Sequence, residues 1–201
     1  MIDGTAIILI VIAYLLGNIS PSILLGKMYG IDIKSHGSGN AGTTNALRVL
    51  GKKAGIITLI VDIGKGMIAV FLGRYFGNET IAMACGVMAF AGHIWPVFFK
   101  FKGGKGVATA FGVIFAINQV LGLAVALIMV LVVLITRRVS AGSVISALIF
   151  PFVANAYNPE YLWWTLIMAV IMLYKHNANI KRLLKGEEPK IQFKKKKADE
   201  A

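Results

Sequence analysis

Charge is scarce in this chain: Asp, Glu, Lys and Arg make up 15% of its 201 residues, against 57% apolar ones. That balance excludes an ordinary water-soluble domain and calls for lipid as solvent. Alternating ten-residue strand patterns are absent, which excludes a transmembrane barrel and leaves helices. Cysteine occurs once, as Cys85 inside an apolar run, so an intrachain disulfide and a cysteine metal cluster are excluded and the thiol reads as packing. No Cys/His/Asp group has metal-ligand spacing, so neither a metal nor a cofactor is expected. Acidic residues number only 9 against 21 Lys and Arg, a formal charge of +12. Aromatics are not interleaved with those basic residues, which argues against nucleic acid and for anionic lipid or a phosphorylated substrate. No basic residue precedes the first apolar run, which opposes a cleaved signal peptide and predicts a retained span. Internal repeats are lacking too, and nothing points to an obligate protein partner.

What the chain does have is a series of apolar runs, at 5–25, 54–72, 81–99, 107–117, 120–135, 140–156 and 161–174. A helix crossing the hydrocarbon core needs roughly 20 such residues. The stretch 107–135 fits either one long helix or two helices turning at Asn118-Gln119. Loop charge chooses between them. Lys27, Lys34, Arg48, Lys52 and Lys53 lie in the first connection, Lys100, Lys102 and Lys105 in the third, Arg137 and Arg138 in the fifth, and Lys175 and later basic residues follow the last run. Basic segments collect on the cytoplasmic side, and only two helices between 107 and 135 place all these groups together, leaving Arg74 opposite. The expectation is an all-α, polytopic membrane bundle of seven transmembrane helices, N-terminus outside and C-terminus cytoplasmic. Residues 1–185 would form one membrane domain and 186–201 a basic cytoplasmic tail, its lysines at 194–197 each drawn to anionic lipid by about 1 kcal/mol. The run 107–117, near 17 Å at about 1.5 Å per residue, is short for the core and is expected to start below the surface, making a recess. Gly64, Gly66, Gly112 and Gly122 fall within spans, where small residues permit close helix packing.

Polar chemistry is concentrated in a few segments. Residues 34–48 hold Ser35, His36, Gly37, Ser38, Gly39, Asn40, Gly42, Thr43, Thr44, Asn45 and Arg48. Three glycines in six residues allow backbone N–H groups to converge as an anion nest, with hydroxyls and Arg48 adding donors, although such loops also serve simply as turns. No Gly-Lys-Ser/Thr closes the loop, so it is not a nucleotide-hydrolysing P-loop. Lys102-Gly103-Gly104-Lys105-Gly106 precedes the short run and suits a phosphate or an oxyanion, or else is a basic loop obeying topology. His176 and Asn179 share a helix face at the end of the last run, able to converge on a ligand or to form a polar cap.

Two further segments lie deeper. Asp62 and Lys65, three apart within a span, should face protein or water because a charge at bilayer depth costs about 2.5–3.5 kcal/mol on insertion scales. They read as a structural pair or as a wall of the recess. Gly17-Asn18-Ile19-Ser20-Pro21-Ser22 reads as a packing kink, and His93 as a satisfied buried or interfacial histidine.

Taken together, the Gly37–Asn45 loop, Asp62-Ile63-Gly64-Lys65-Gly66, Gly103-Gly104-Lys105-Gly106 and His176-Asn177-Ala178-Asn179-Ile180 closely resemble the bacterial acyl-phosphate:glycerol-3-phosphate acyltransferase family (the PlsY type), in the same order and through nearly the whole chain. The resemblance implies transfer of a fatty acyl group from acyl phosphate to the 1-hydroxyl of glycerol 3-phosphate at the cytoplasmic face of the bacterial inner membrane. It implies His176, Asn179 and Lys105 as catalytic residues. Ser35, His36, Gly37, Ser38, Gly39, Asn40, Thr43, Thr44, Asn45, Arg48, Gly103, Gly104 and Lys105 would bind the substrate phosphates. None of the three histidines has Asp five positions on, so the His-x4-Asp machinery of other glycerolipid acyltransferases is absent. The rival from another class is a transporter for a phosphorylated solute, which would show repeat symmetry and midplane binding residues. A CDP-alcohol phosphatidyltransferase would need a multi-aspartate motif that the chain lacks.

Overall fold

The computed structural model describes residues 3–191, and within them every regular element is helical. The lysine run at 194–197 lies outside the described residues. Each apolar run becomes a helix. The first is broken: α1 (Gly4–Gly17), capped by Asp3 accepting from the Ala6 N–H at 2.8 Å, bends by 41° into α2 (Pro21–Met28). Proline at the first position of α2 lacks the N–H that would continue the ladder, and the expected kink is found there. α4 (Lys52–Phe76) and α5 (Glu79–Ile94) form a hairpin whose turn is capped by Asn78 on the Ile81 N–H.

The alternative at 107–135 is resolved as two helices, α6 (Val107–Ile117) and α7 (Gln119–Thr136). Asn118 stands between them in extended conformation and caps α7 by accepting from the Leu121 N–H at 2.9 Å. Arg74 reinforces the stop by donating to the carbonyls of Ala116 and Ile117 while pairing with Glu79 at 2.8 Å. α8 (Val139–Tyr157) and α9 (Leu162–Lys175) complete the bundle. Two short helices follow: α3 (Thr43–Val49) falls in a segment read from sequence as a polar loop, and α10 (Asn177–Leu184) carries Asn179 on the helix expected at the end of the last run.

Among the described residues, four helical stretches, 52–76, 79–99, 119–136 and 139–157, are long and apolar enough to cross a membrane, and α1 with α2 makes a fifth as a bent pair. α6 and α9, with 11 and 14 residues, fall short by length. The chain is thus an all-helical multi-span membrane protein with fewer full-length spans than the seven expected.

Close backbone approach holds the centre together. A Cβ at Gly66 would meet the Thr109 carbonyl and one at Gly112 the Ile63 carbonyl, so α4 and α6 pack through this reciprocal glycine contact. Gly122 does the same against Phe115, whereas Gly64, expected to pack closely as well, has open space beside it. Cys85 is fully buried with Leu9, Ala13, Ala69 and Ala89, as packing requires.

Candidate active site

At one end of the bundle four connections meet. Lys34 reaches the Phe99 carbonyl, Ala41 lies against Gly104, Lys105 bonds to Asn179, and Arg138 holds the main chain at Gly186 and Glu188. These are the basic connections that the charge pattern put together, and Arg74 is at the far end of α6.

The arm carrying Lys105 is built on the end of α5. After a tight turn at 97–102, in which Lys100 and Phe101 both adopt φ of 57°, the Gly103 N–H donates to the Ile94 carbonyl and the Gly104 N–H to the His93 carbonyl, each at 3.1 Å. Those two amides are therefore used structurally, whereas the reading of this segment as a phosphate or oxyanion site would aim them at a ligand. Only glycine fits at 104, since a Cβ would collide with His93 Nε2 and the Ala41 carbonyl oxygen. Lys105 follows and donates to Asn179 Oδ1. Desolvation by burial, opposed by Glu188 and assisted by the positive Arg182 and Lys175, lowers its pKa to about 8.

Asn179 lies on α10, one turn beyond His176 at the α9–α10 junction, and both are buried. His176 Nδ1 lies 2.8 Å from the Met172 carbonyl oxygen. A carbonyl can only accept, so Nδ1 carries the hydrogen and Nε2 keeps a lone pair. Burial is the main cause lowering the imidazole pKa to about 4, and the charge of Lys105 adds to it. The ring is neutral at pH 7.

The acceptor that fixes Asn179 from the other side comes from a residue that sequence reading left in the tail. Glu188 is buried; its Oε1 accepts from Ser140 Oγ and Asn179 Nδ2, each at 2.6 Å, and its Oε2 from Arg182 Nε at 2.7 Å. Residues 186–191 accordingly fold back on the bundle, with the Ile191 N–H donating to the Arg137 carbonyl at 2.7 Å. Ser140, Arg182 and Glu188 were all missed. The one signal for Glu188 is an acidic pair, Glu187-Glu188, in a strongly basic segment.

The glycine loop adjoins the arm through Ala41. Gly37 and Gly39 take φ of 63° and 69°, and the turn is tied from inside by Asn45. Its side-chain amide donates to the carbonyls of Ile33 and His36 and accepts from the Ser38 N–H at 2.9 Å. Asn45 therefore organises the loop. Ser35 and His36 form an exposed knot on the Asp32 carbonyl. Ser38, Thr44 and Arg48 present exposed side chains, Asn40 is half-buried, and Thr43 Oγ1 is buried without a partner.

Residues 7–186 match the family model described as glycerol-3-phosphate acyltransferase. The chain belongs to that family. Among relatives of this glycerol-3-phosphate acyltransferase family, the chain is 43% identical over 189 residues to a glycerol-3-phosphate acyltransferase of Thermoanaerobacter pseudethanolicus, covering 92% of this chain and 96% of the relative. It is 42% identical over 182 residues to one of Trichlorobacter lovleyi, covering 89% and 94%. Its fold is similar to crystal structures of PlsY (YgiH), an integral membrane glycerol 3-phosphate acyltransferase. The glycerol 3-phosphate form aligns with a TM-score of 0.90 and the lysophosphatidic acid form with 0.87. Both are 36% identical, covering 94% of this chain and 96% of theirs.

Proposed function

We propose that the chain transfers a fatty acyl group from acyl phosphate to the 1-hydroxyl of glycerol 3-phosphate, giving lysophosphatidic acid and phosphate. The observation that carries this is the convergence of Lys105, Asn179 and His176 beside a basic glycine loop, in a chain whose relatives are named for glycerol 3-phosphate acylation. Acyl phosphate is a mixed anhydride with a good leaving group, so alignment and charge stabilisation matter more than a strong base. An ammonium has three N–H bonds; Lys105 uses one on Asn179 and keeps two for a phosphate or the developing oxyanion. Neutral His176, with Nε2 as acceptor, takes the hydroxyl proton or orients the hydroxyl for a substrate phosphate to take it. Ser35, His36, Gly37, Ser38, Gly39, Asn40, Thr43, Thr44 and Arg48 supply phosphate contacts, with Asn45 holding their loop and Gly103 and Gly104 placing Lys105.

The gathering of basic connections at one end supports a cytoplasmic active site, seven crossings with α6 and α9 as short ones, and an outside N-terminus in a bacterial inner membrane. The reaction needs no metal or cofactor, and neither nucleic acid nor an obligate protein partner. Purified protein in detergent or liposomes should release phosphate from palmitoyl phosphate only when glycerol 3-phosphate is present. Full-rate reaction with acyl-CoA or acyl carrier protein would overturn the donor, and glycerol 3-phosphate counterflow without acylation would make the protein a transporter.

A further inference from the structure

Asp62, Lys65 and His93 are buried among the helices, 1–5% exposed, and have no task in the chemistry above. Lys65 Nζ lies 2.8 Å from Asp62 Oδ1 and 2.9 Å from His93 Nδ1, and it donates to the Ile19 carbonyl at 2.7 Å. Asp62 Oδ1 is in turn 3.3 Å from His93 Nδ1. Mutual neutralisation does not by itself account for such a group, because a buried ion pair gains no more than a well-packed apolar pair would. Its placement is more informative. Lys65 ties down a carbonyl at the α1–α2 break, and the ring it fixes presents Nε2 to the backbone of Gly104. The His93 carbonyl holds the Gly104 N–H, and Lys105 is the next residue.

We propose that Asp62, Lys65 and His93 are positioning residues for the Lys105 arm. Lys65, anchored by Asp62 and by the Ile19 carbonyl, sets the orientation of the His93 imidazole. Gly104 seats against that ring and against Ala41, and its seat determines where the Lys105 ammonium lies. The idea rests on Lys105 acting at the substrate phosphate, and a displacement of about 1 Å in such a group is enough to cost ~100-fold in rate.

The test uses the purified full chain carrying D62N/K65M, H93A or H93Q. The double variant removes both charges together, so a pair that merely neutralises itself would be dispensable in it. We expect D62N/K65M to extract and unfold near the wild-type temperature, with kcat reduced ~100-fold and the KM for glycerol 3-phosphate changed less than ~3-fold. Amine labelling of Lys105 across pH, read by mass spectrometry, should have its midpoint near 8 in the wild type and move upward in the variant. H93Q, whose amide oxygen still accepts from Lys65, should recover ~10-fold of the rate lost in H93A. A folded double variant with wild-type kcat and an unmoved midpoint overturns the proposal. If the double variant does not fold, H93A decides: an unmoved Lys105 midpoint there overturns it equally. Labelling does not depend on the acyl donor, so a wild type inactive with palmitoyl phosphate refutes the acyl-phosphate reading while leaving the positioning result readable.

Discussion

A lysine whose pKa falls to about 8 changes what pH does to the protein. Below that value Lys105 is charged and can hold an anion; above it the ammonium is lost. The kcat/KM for glycerol 3-phosphate should therefore fall as pH rises through about 8, and K105A should remove ~100–1,000-fold of kcat in a protein that still purifies folded. His176, with its pKa near 4, stays neutral through the usual working range and contributes no ascending limb around the ordinary imidazole value. H176A should nonetheless lower kcat by ~100-fold or more, and wild-type activity would remove it from the site. Lys105, His176 and Asn179 were legible as candidates because each stands in a motif of polar residues at an apolar boundary. The task of Asn45 was not, because its partners at Ile33, His36 and Ser38 come together only when the loop closes.

Among the elements, the clasp formed by residues 186–191 has the clearest energetic signature. E188A strands the buried Ser140 hydroxyl and Asn179 amide, while the part-exposed Arg182 guanidinium turns to water, and an unsatisfied buried group costs about 1–3 kcal/mol. Its melting temperature should fall, with activity falling alongside because Asn179 is shared with Lys105. Burial pushes the Glu188 pKa up, but the hydrogen bonds from Ser140, Asn179 and Arg182 outweigh it and leave the carboxyl below its ordinary value. Its stabilisation is thus present above the unfolded pKa near 4.5 and is lost as pH falls through the lower native one. Circular-dichroism melts of wild type and E188A should converge at acid pH. The long elements were legible as apolar runs, down to the break at Asn118, where a short capping side chain interrupts the run. α3 was not, because it is short and held largely by tertiary contacts rather than by propensity.

For the whole molecule, the arrangement of connections predicts which face each one occupies. Cysteines placed at Lys53, Lys100 and Arg137 should react with an impermeant maleimide only from the cytoplasmic side, and cysteines at Asn78 and Asn158 only from the other. Native Cys85 is buried and should remain silent. Labelling of Arg137 and Lys100 positions from opposite sides would exclude the seven-crossing arrangement. The charge pattern anticipated the end at which the arm, the glycine loop and α10 meet. It did not anticipate that a carboxylate beyond every span would join them. Glu188 is made after all the helices it fastens, and at about 5–20 residues per second Lys105 waits roughly 4–17 s for it. Asn179 itself precedes Glu188 by only nine residues, so for nearly all of that interval the Lys105 arm has neither its amide partner nor the carboxylate that holds it. Completion of the site is thereby timed by translation itself, and a bundle stalled before Glu188 would dwell in the membrane without the clasp.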